Sequence, residues 1–242
     1  MPHHAVFLIF LLTNCHTLMH IDILTLFPEM FEQVFATSII KRAVAKGRVC
    51  LNVHNIRDYS TAKHKQADDY PYGGGSGMVM MVEPIDRCIT MLQEKRPYDD
   101  IVLMTPDGVP FSQMQANKFA TKQNLILLCG HYKGIDERVR KLFVSKEISI
   151  GDYVLSGGEL PAMVFCDAVI RLLPGVLNDE TSALSDSFQN GLLSAPVYTR
   201  PADYKGTKVP DILLSGNDKA IDQWRQEQSY ERTKKKRPDL LK

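Results

Sequence analysis

Apolar and polar positions along this chain recur with two different periods, and the switches between them mark out its elements. Residues 21–26 (IDILTL) are a short apolar run stopped by Phe27-Pro28, which reads as a first strand. Pro28 sits where a helix can begin, and apolar residues recur at helical spacing from 29 to 46, up to Gly47, predicting one helix. A second strand is predicted over 49–53, a helix over 84–94, and a strand over 101–104 that ends in the turn Thr105-Pro106-Asp107-Gly108. A helix over 113–121 follows. The run LILLC (125–129) has no polar position, as expected of a strand in a sheet covered on both faces. Helical 136–144, extended 147–150 and a long apolar helix over 160–173, closed by Pro174-Gly175, complete the series. Strands alternating with helices predict an α/β domain with a largely parallel sheet.

The periodicity lapses in three places. Residues 57–77 turn polar and then glycine-rich, a long loop carrying His64, Asp68, Asp69 and the string PYGGGSG. After Val176 the composition changes: 178–187 (NDETSALSDS) is poor in large apolar groups and reads as a linker. Beyond it, 188–242 is loop-rich, with a polar helix over 218–233 and the basic tail RTKKKRP (232–238). At the other end, the apolar run 5–12 is far shorter than the ~20 residues a membrane helix needs. Met19 directly precedes the first strand, so 1–18 reads as an extension upstream of the functional start; a weak signal sequence is the competing reading. The expected organisation is therefore an extension (1–18), a main domain (19–177), a flexible linker (178–187) and a small helical domain (188–242).

Composition mostly excludes. With 44% apolar and 24% charged residues in 242, the chain is of ordinary globular type. A net charge of +1 does not announce a nucleic-acid binder, so any basic surface must come from local clustering. Five scattered cysteines, with no C-x-x-C pair, argue against a disulfide framework or structural zinc and suit a reducing cytosol.

Candidate chemistry sits in three glycine-bearing segments that follow strands or loops: LMTPDG (103–108), CGHYKG (129–134) and IGDYVLSGGELP (150–161). Glycine lets backbone approach a ligand closely, and in open α/β sheets ligands gather beyond the carboxyl ends of strands. Together these turns could build a site read by backbone groups and suited to an adenosine; singly, each is an ordinary tight turn. PYGGGSG lacks the Gly-Lys-Ser/Thr ending of a phosphate loop, and no G-x-G-x-x-G, G-x-S-x-G or H-E-x-x-H occurs, which disfavours nucleotide-triphosphatase, Rossmann, hydrolase and zinc-protease readings. Arg171 interrupts an apolar helix, either snorkelling or held for an anion. Asp186, at the edge of the linker, is a solvated carboxylate or an N-cap on its face. The basic tail is a solvated face or a phosphate contact.

The strings LFPEMF (26–31), DDYPYGGGSGMVMMVEP (68–84), IDERV (135–139), SIGDYVLSGGELPAM (149–163), PGVL (174–177) and YTRP (198–201), in this order and spacing, resemble the bacterial tRNA (guanine-N1)-methyltransferases. The resemblance runs from about 19 to 241. It implies a SPOUT-type α/β domain with a deep trefoil knot and a small helical C-terminal domain. It also implies a cytoplasmic homodimer whose active sites draw on both subunits. The implied reaction moves a methyl group from S-adenosylmethionine to N1 of the guanosine at tRNA position 37, next to the anticodon. A magnesium dependence is implied as well, without a site that any cluster here identifies.

Carried onto this chain, the resemblance places the methyl donor among Leu103, Thr105, Pro106, Gly130, Tyr132, Ile150, Gly151, Asp152, Tyr153, Val154, Leu155, Gly157, Gly158 and Pro161. It makes Asp186 the general base for the N1 proton and Arg171 the group that stabilises charge at guanine O6. His64, Asp68 and Gly77 match positions that touch tRNA, and the linker would order on tRNA binding. Two positions depart from the family pattern: Tyr70 stands where an arginine is expected, and Lys133 where an acidic residue is commoner. Two rivals remain at this point. Another knotted methyltransferase, acting on a ribose hydroxyl or a different base, would share the fold; a non-catalytic RNA-binding protein would share it without needing Asp186.

Overall fold

A computed structural model describes residues 19–177 and 186–241. The extension 1–18 and most of the linker, 178–185, lie outside the described residues. The chain divides into two compact units, the first ending at Asn178 and the second beginning at Asp179.

The first unit is built on a five-stranded sheet. Its strands are β1 (Met19–Thr25), β2 (Val49–Asn55), β5 (Asp100–Pro110), β6 (Asn124–Cys129) and β7 (Lys146–Ser149), in the order β2-β1-β6-β5-β7. Every pairing in it is parallel. Parallel strands need crossovers, and the helices that supply them cover both faces. Val102, Met104, Leu125, Leu127 and Cys129 pack on one side with α1 (Glu29–Phe35), α2 (Ser38–Ala45), α4 (Gln113–Phe119) and α6 (Glu159–Ile170). Ile101, Leu103, Ile126 and Leu128 pack on the other with α3 (Val82–Lys95) and α5 (Glu137–Phe143). Residues 125–129 are fully buried, which is why that strand could dispense with polar positions.

Two predicted elements differ. The single helix expected over 29–46 is two, because Thr37 is extended (φ −127°) and Ser38 has φ +51°. The Thr37 hydroxyl donates to the carbonyls of Gln33 and Val34, a local bond that competes with helix continuation. The strand expected to stop at Met104 instead resumes: Met104 and Val109 both pair with Ile148, and Thr105–Gly108 is extruded between them. The long loop after β2 holds a small antiparallel pair, β3 (Asp68–Asp69) with β4 (Val79–Met80).

The second unit contains a minimal hairpin, β8 (Asp203–Tyr204) with β9 (Thr207–Lys208), and the helix α7 (Asp218–Lys236). Asn217 caps α7 by accepting from the Ala220 amide. Buried Thr233 fastens it to the preceding loop, its hydroxyl accepting from the Leu193 amide at 2.8 Å and donating to Ser229 O.

Candidate functional site

β6, β5 and β7 are neighbours running in one direction, so their carboxyl ends share one edge of the sheet. The three glycine-bearing turns meet there. The extruded Thr105–Gly108 needs glycine at its last position: a Cβ on Gly108 would run into the backbone of Glu147 and Ile148. The turn after β6 touches the start of α6, where the Gly158 amide donates to Gly130 O at 2.7 Å. A Cβ on Gly158 would lie 2.7 Å from Cys129 Cα, so only glycine permits this approach.

Between these turns lies a cavity of about 390 Å³, within the usual range for a small-molecule site. Leu103, Thr105, Pro106, Gly130, Tyr132, Ile150, Gly151, Tyr153, Val154, Leu155, Gly157, Gly158 and Pro161 all line it. Asp152 is not among the residues that line it. The Tyr153 ring folds over Gly151 and its hydroxyl donates to Ile150 O, while Asp152 between them is exposed. Neighbours in the string SIGDYVLSGGELP do not all face one way.

The cavity wall and the residues packed behind it include polar groups that the sequence did not bring together. His131 packs against Phe27 and edge-on to Tyr132; its Nδ1 is buried, with no hydrogen-bond partner among the described residues, 3.9 Å from Glu159 Oε2. Glu159 is only 1% exposed. It accepts from the Thr25 hydroxyl at 2.7 Å and stands in the first turn of α6, where the helix dipole favours an anion. Arg140 of α5, also on the wall, reaches Asp107 Oδ2 (2.9 Å), Thr105 Oγ1 (3.2 Å) and Glu147 Oε2 (2.5 Å). No spacing rule connects residues 105, 140 and 147, so only the fold could reveal this group.

The loop after β2 is laced to the same rim. The Lys133 amide donates to Met78 O, the Met80 amide to Gly134 O and the Asp136 amide to Met80 O, each at 3.0 Å. Gly77 (φ +94°) lies where a Cβ would meet the Lys133 side chain. Asp68 sits 3.8 Å from Arg57, whose guanidinium donates to the Tyr132 hydroxyl. Gly77 and Asp68 are thus joined to the cavity wall. His64 is exposed in the turn Lys63–Lys65 at φ +60°.

Arg171 and Asp186 are placed differently. Arg171 is half-buried at the C-terminal cap of α6. Gly158 caps the opposite end, so at 1.5 Å per residue the helix sets Arg171 about 20 Å from its own cavity floor. Asp186 belongs to the second unit, half-buried, with its carbonyl accepting from the Gln189 amide. Among the described residues no group of three or more His, Cys, Asp or Glu side chains could hold a metal ion, and no helix is long and apolar enough to cross a membrane.

A family model described as tRNA (Guanine-1)-methyltransferase TrmD matches residues 19–242. The chain is 60% identical to the tRNA (guanine-N(1)-)-methyltransferase of Flavobacterium psychrophilum over 92% of its own length and 99% of that protein. It is 62% identical to the one from Cytophaga hutchinsonii, covering 92% and 94% respectively. The protein of that name from Bacteroides thetaiotaomicron is 60% identical, with 92% and 99% covered.

Proposed function

The chain belongs to the tRNA (guanine-1)-methyltransferase family, and from that premise we propose that it methylates N1 of the guanosine at tRNA position 37, using S-adenosylmethionine. Membership makes it a tRNA (guanine-N1)-methyltransferase; the donor, the position and the residue roles are the finer reading. The observation that carries this reading is the cavity at the ends of β5, β6 and β7.

The cavity fits an adenosine. Its walls combine apolar side chains (Leu103, Ile150, Leu155, Pro161) with backbone brought close at Gly130 and Gly158, the mix that holds a flat base and presents polar backbone to its edge. These residues and the others lining the cavity would hold the donor, which when bound supplies an electrophilic methyl carbon on a sulfonium.

The rest of the chemistry belongs to the chain's own side chains. Guanine N1 carries a proton at neutral pH, so its lone pair is not free to attack. The Asp186 carboxylate takes that proton as N1 engages the methyl carbon, a contribution of about 10²–10⁴ in rate. Negative charge builds toward O6, where the Arg171 guanidinium stabilises it. Asp68 and Gly77 at the rim and His64 on its exposed turn contact the tRNA, and Lys234 to Arg237 meet its phosphates. A magnesium dependence belongs to the same reading, and no step above is routed through the ion.

Arg171 lies about a helix length from its own cavity, so the reading requires a second copy to complete the site. Leu160 and Val164, one turn apart on α6, are 50% and 48% exposed, an apolar stripe that self-association would cover. The protein works as a homodimer in the cytoplasm, where its tRNA resides. A deep trefoil knot in the first unit is part of the same proposal.

The test is methyl transfer from labelled S-adenosylmethionine to tRNA transcripts carrying guanine or adenine after the anticodon, with the product base mapped by mass spectrometry. Label on N1 of that guanine, and none on the adenine transcript, supports the reading. Label on a ribose or another base would replace it with the rival knotted enzyme. Tight tRNA binding with no label at all would leave the non-catalytic reading.

A further inference from the structure

The cavity wall formed by Thr105, Pro106 and Asp107 is not held by its own strand. It is the extruded part of β5, flanked by two residues that share one partner on β7, so strand pairing fixes its ends and leaves its middle. What reaches the middle is Arg140. One terminal nitrogen of its guanidinium is ion-paired with Asp107 Oδ2 at 2.9 Å and donates to Thr105 Oγ1 at 3.2 Å, while the other donates to Glu147 Oε2 at 2.5 Å, at the start of β7. The Thr105 hydroxyl in turn donates to Asp107 Oδ1, which closes the group.

We propose that Arg140 is a positioning residue for the methyl donor: by clamping Asp107 and Thr105 to Glu147, it holds the extruded wall at the width the adenosine requires. This rests on the reading of the cavity as the donor site. Single ion pairs with exposed partners contribute little to stability, and Asp107 is well exposed. A planar guanidinium hydrogen-bonded to Glu147 and Thr105 and ion-paired with Asp107 is different in kind, because it fixes their relative positions. The frame around it does not depend on it. α5 is anchored by buried Val139 and capped by Asp136, and β7 is held by its pairing with β5. Removing Arg140 therefore frees the wall and leaves the fold.

Calorimetric titration of S-adenosylhomocysteine into the full chain tests this, using wild type, R140A, R140K, D107A and the double variant, each also melted without ligand. R140A is expected to bind at least about tenfold more weakly, with a ligand-free Tm within about 3 °C of wild type. R140K recovers little of the loss, since an ammonium cannot reproduce the fork. R140A/D107A is expected to bind no more weakly than the weaker single variant, because the two side chains act as one unit. In turnover, the deficit falls on the apparent KM for S-adenosylmethionine more than on kcat. Wild-type affinity in R140A, or losses that simply add in the double variant, would overturn the proposal alone. Wild-type protein that binds no S-adenosylhomocysteine would sink the donor-site reading and this proposal with it.

Discussion

Two glycines on the same cavity wall, Gly158 and Gly130, should respond differently to the same change. In Gly158→Ala the new methyl would sit 2.7 Å from Cys129 Cα, 2.9 Å from Gly130 N and 3.1 Å from Met104 Cβ. Two of those neighbours are backbone, so relief requires moving β6 or α6. Overpacking of this kind costs about 1–3 kcal/mol, which for a chain of this size corresponds to a Tm lower by roughly 2–12 °C. The Gly158–Gly130 hydrogen bond would stretch, and the cavity should lose affinity for S-adenosylhomocysteine together with stability. In Gly130→Ala the methyl meets protein only at 3.8 Å, at Ile135 Cγ2 and Met104 O. Ordinary contact at that distance leaves Tm within about 1 °C, yet the methyl enters space the ligand would occupy, and affinity should fall at least about tenfold. Thermal melting without ligand and calorimetry with S-adenosylhomocysteine read both quantities. A Gly158→Ala protein with unchanged Tm would refute the packing argument. Unchanged affinity in Gly130→Ala would show that the ligand lies elsewhere.

Three further outcomes are expected. Asp186→Ala should lower turnover with saturating tRNA by about 10²–10⁴ while S-adenosylhomocysteine affinity stays near wild type; near-normal turnover would remove Asp186 from the role of base. Arg171→Ala should lose mainly kcat, and a loss confined to donor affinity would count against its place at O6. The third concerns Asp22, buried on β1. Burial pushes its carboxyl upward, but hydrogen bonds from His54, Tyr98 and Asn52 outweigh this and hold it below its ordinary value of 3.8. A carboxyl lowered in the folded state contributes stability that is complete above its unfolded value and fades as pH falls through the folded one. Melting curves between pH 7 and pH 3 should therefore show a steeper acid decline in wild type than in Asp22→Asn, and parallel declines would contradict the assignment.

Much of the sheet was legible because burial on both faces leaves its mark on every position, as in 125–129. The three glycine turns were legible for a related reason: close backbone approach demands glycine wherever it occurs, and Gly108 and Gly158 show the demand directly. What escaped depends on groups far apart in sequence. The break at Thr37 is invisible to periodicity, since apolar spacing carries across it. The extruded Thr105–Gly108 looks like a strand-ending turn until β7 arrives to pair on both sides of it. Arg140 reads as one more charge on a short helix, and Asp107 as one more member of a turn. Neither sequence position reveals which way its side chain is turned.

The lacing of Met78 and Met80 to Lys133, Gly134 and Asp136 carries a consequence for how occupancy could be observed. These backbone bonds join a segment far upstream to the turn that follows β6, so the two should open and close together. Ligand that steadies the Gly130 turn should slow deuterium uptake at the Met80 amide, although Met80 does not line the cavity. Occupancy of the cavity would then steady the segment around Met78 and Met80 as well.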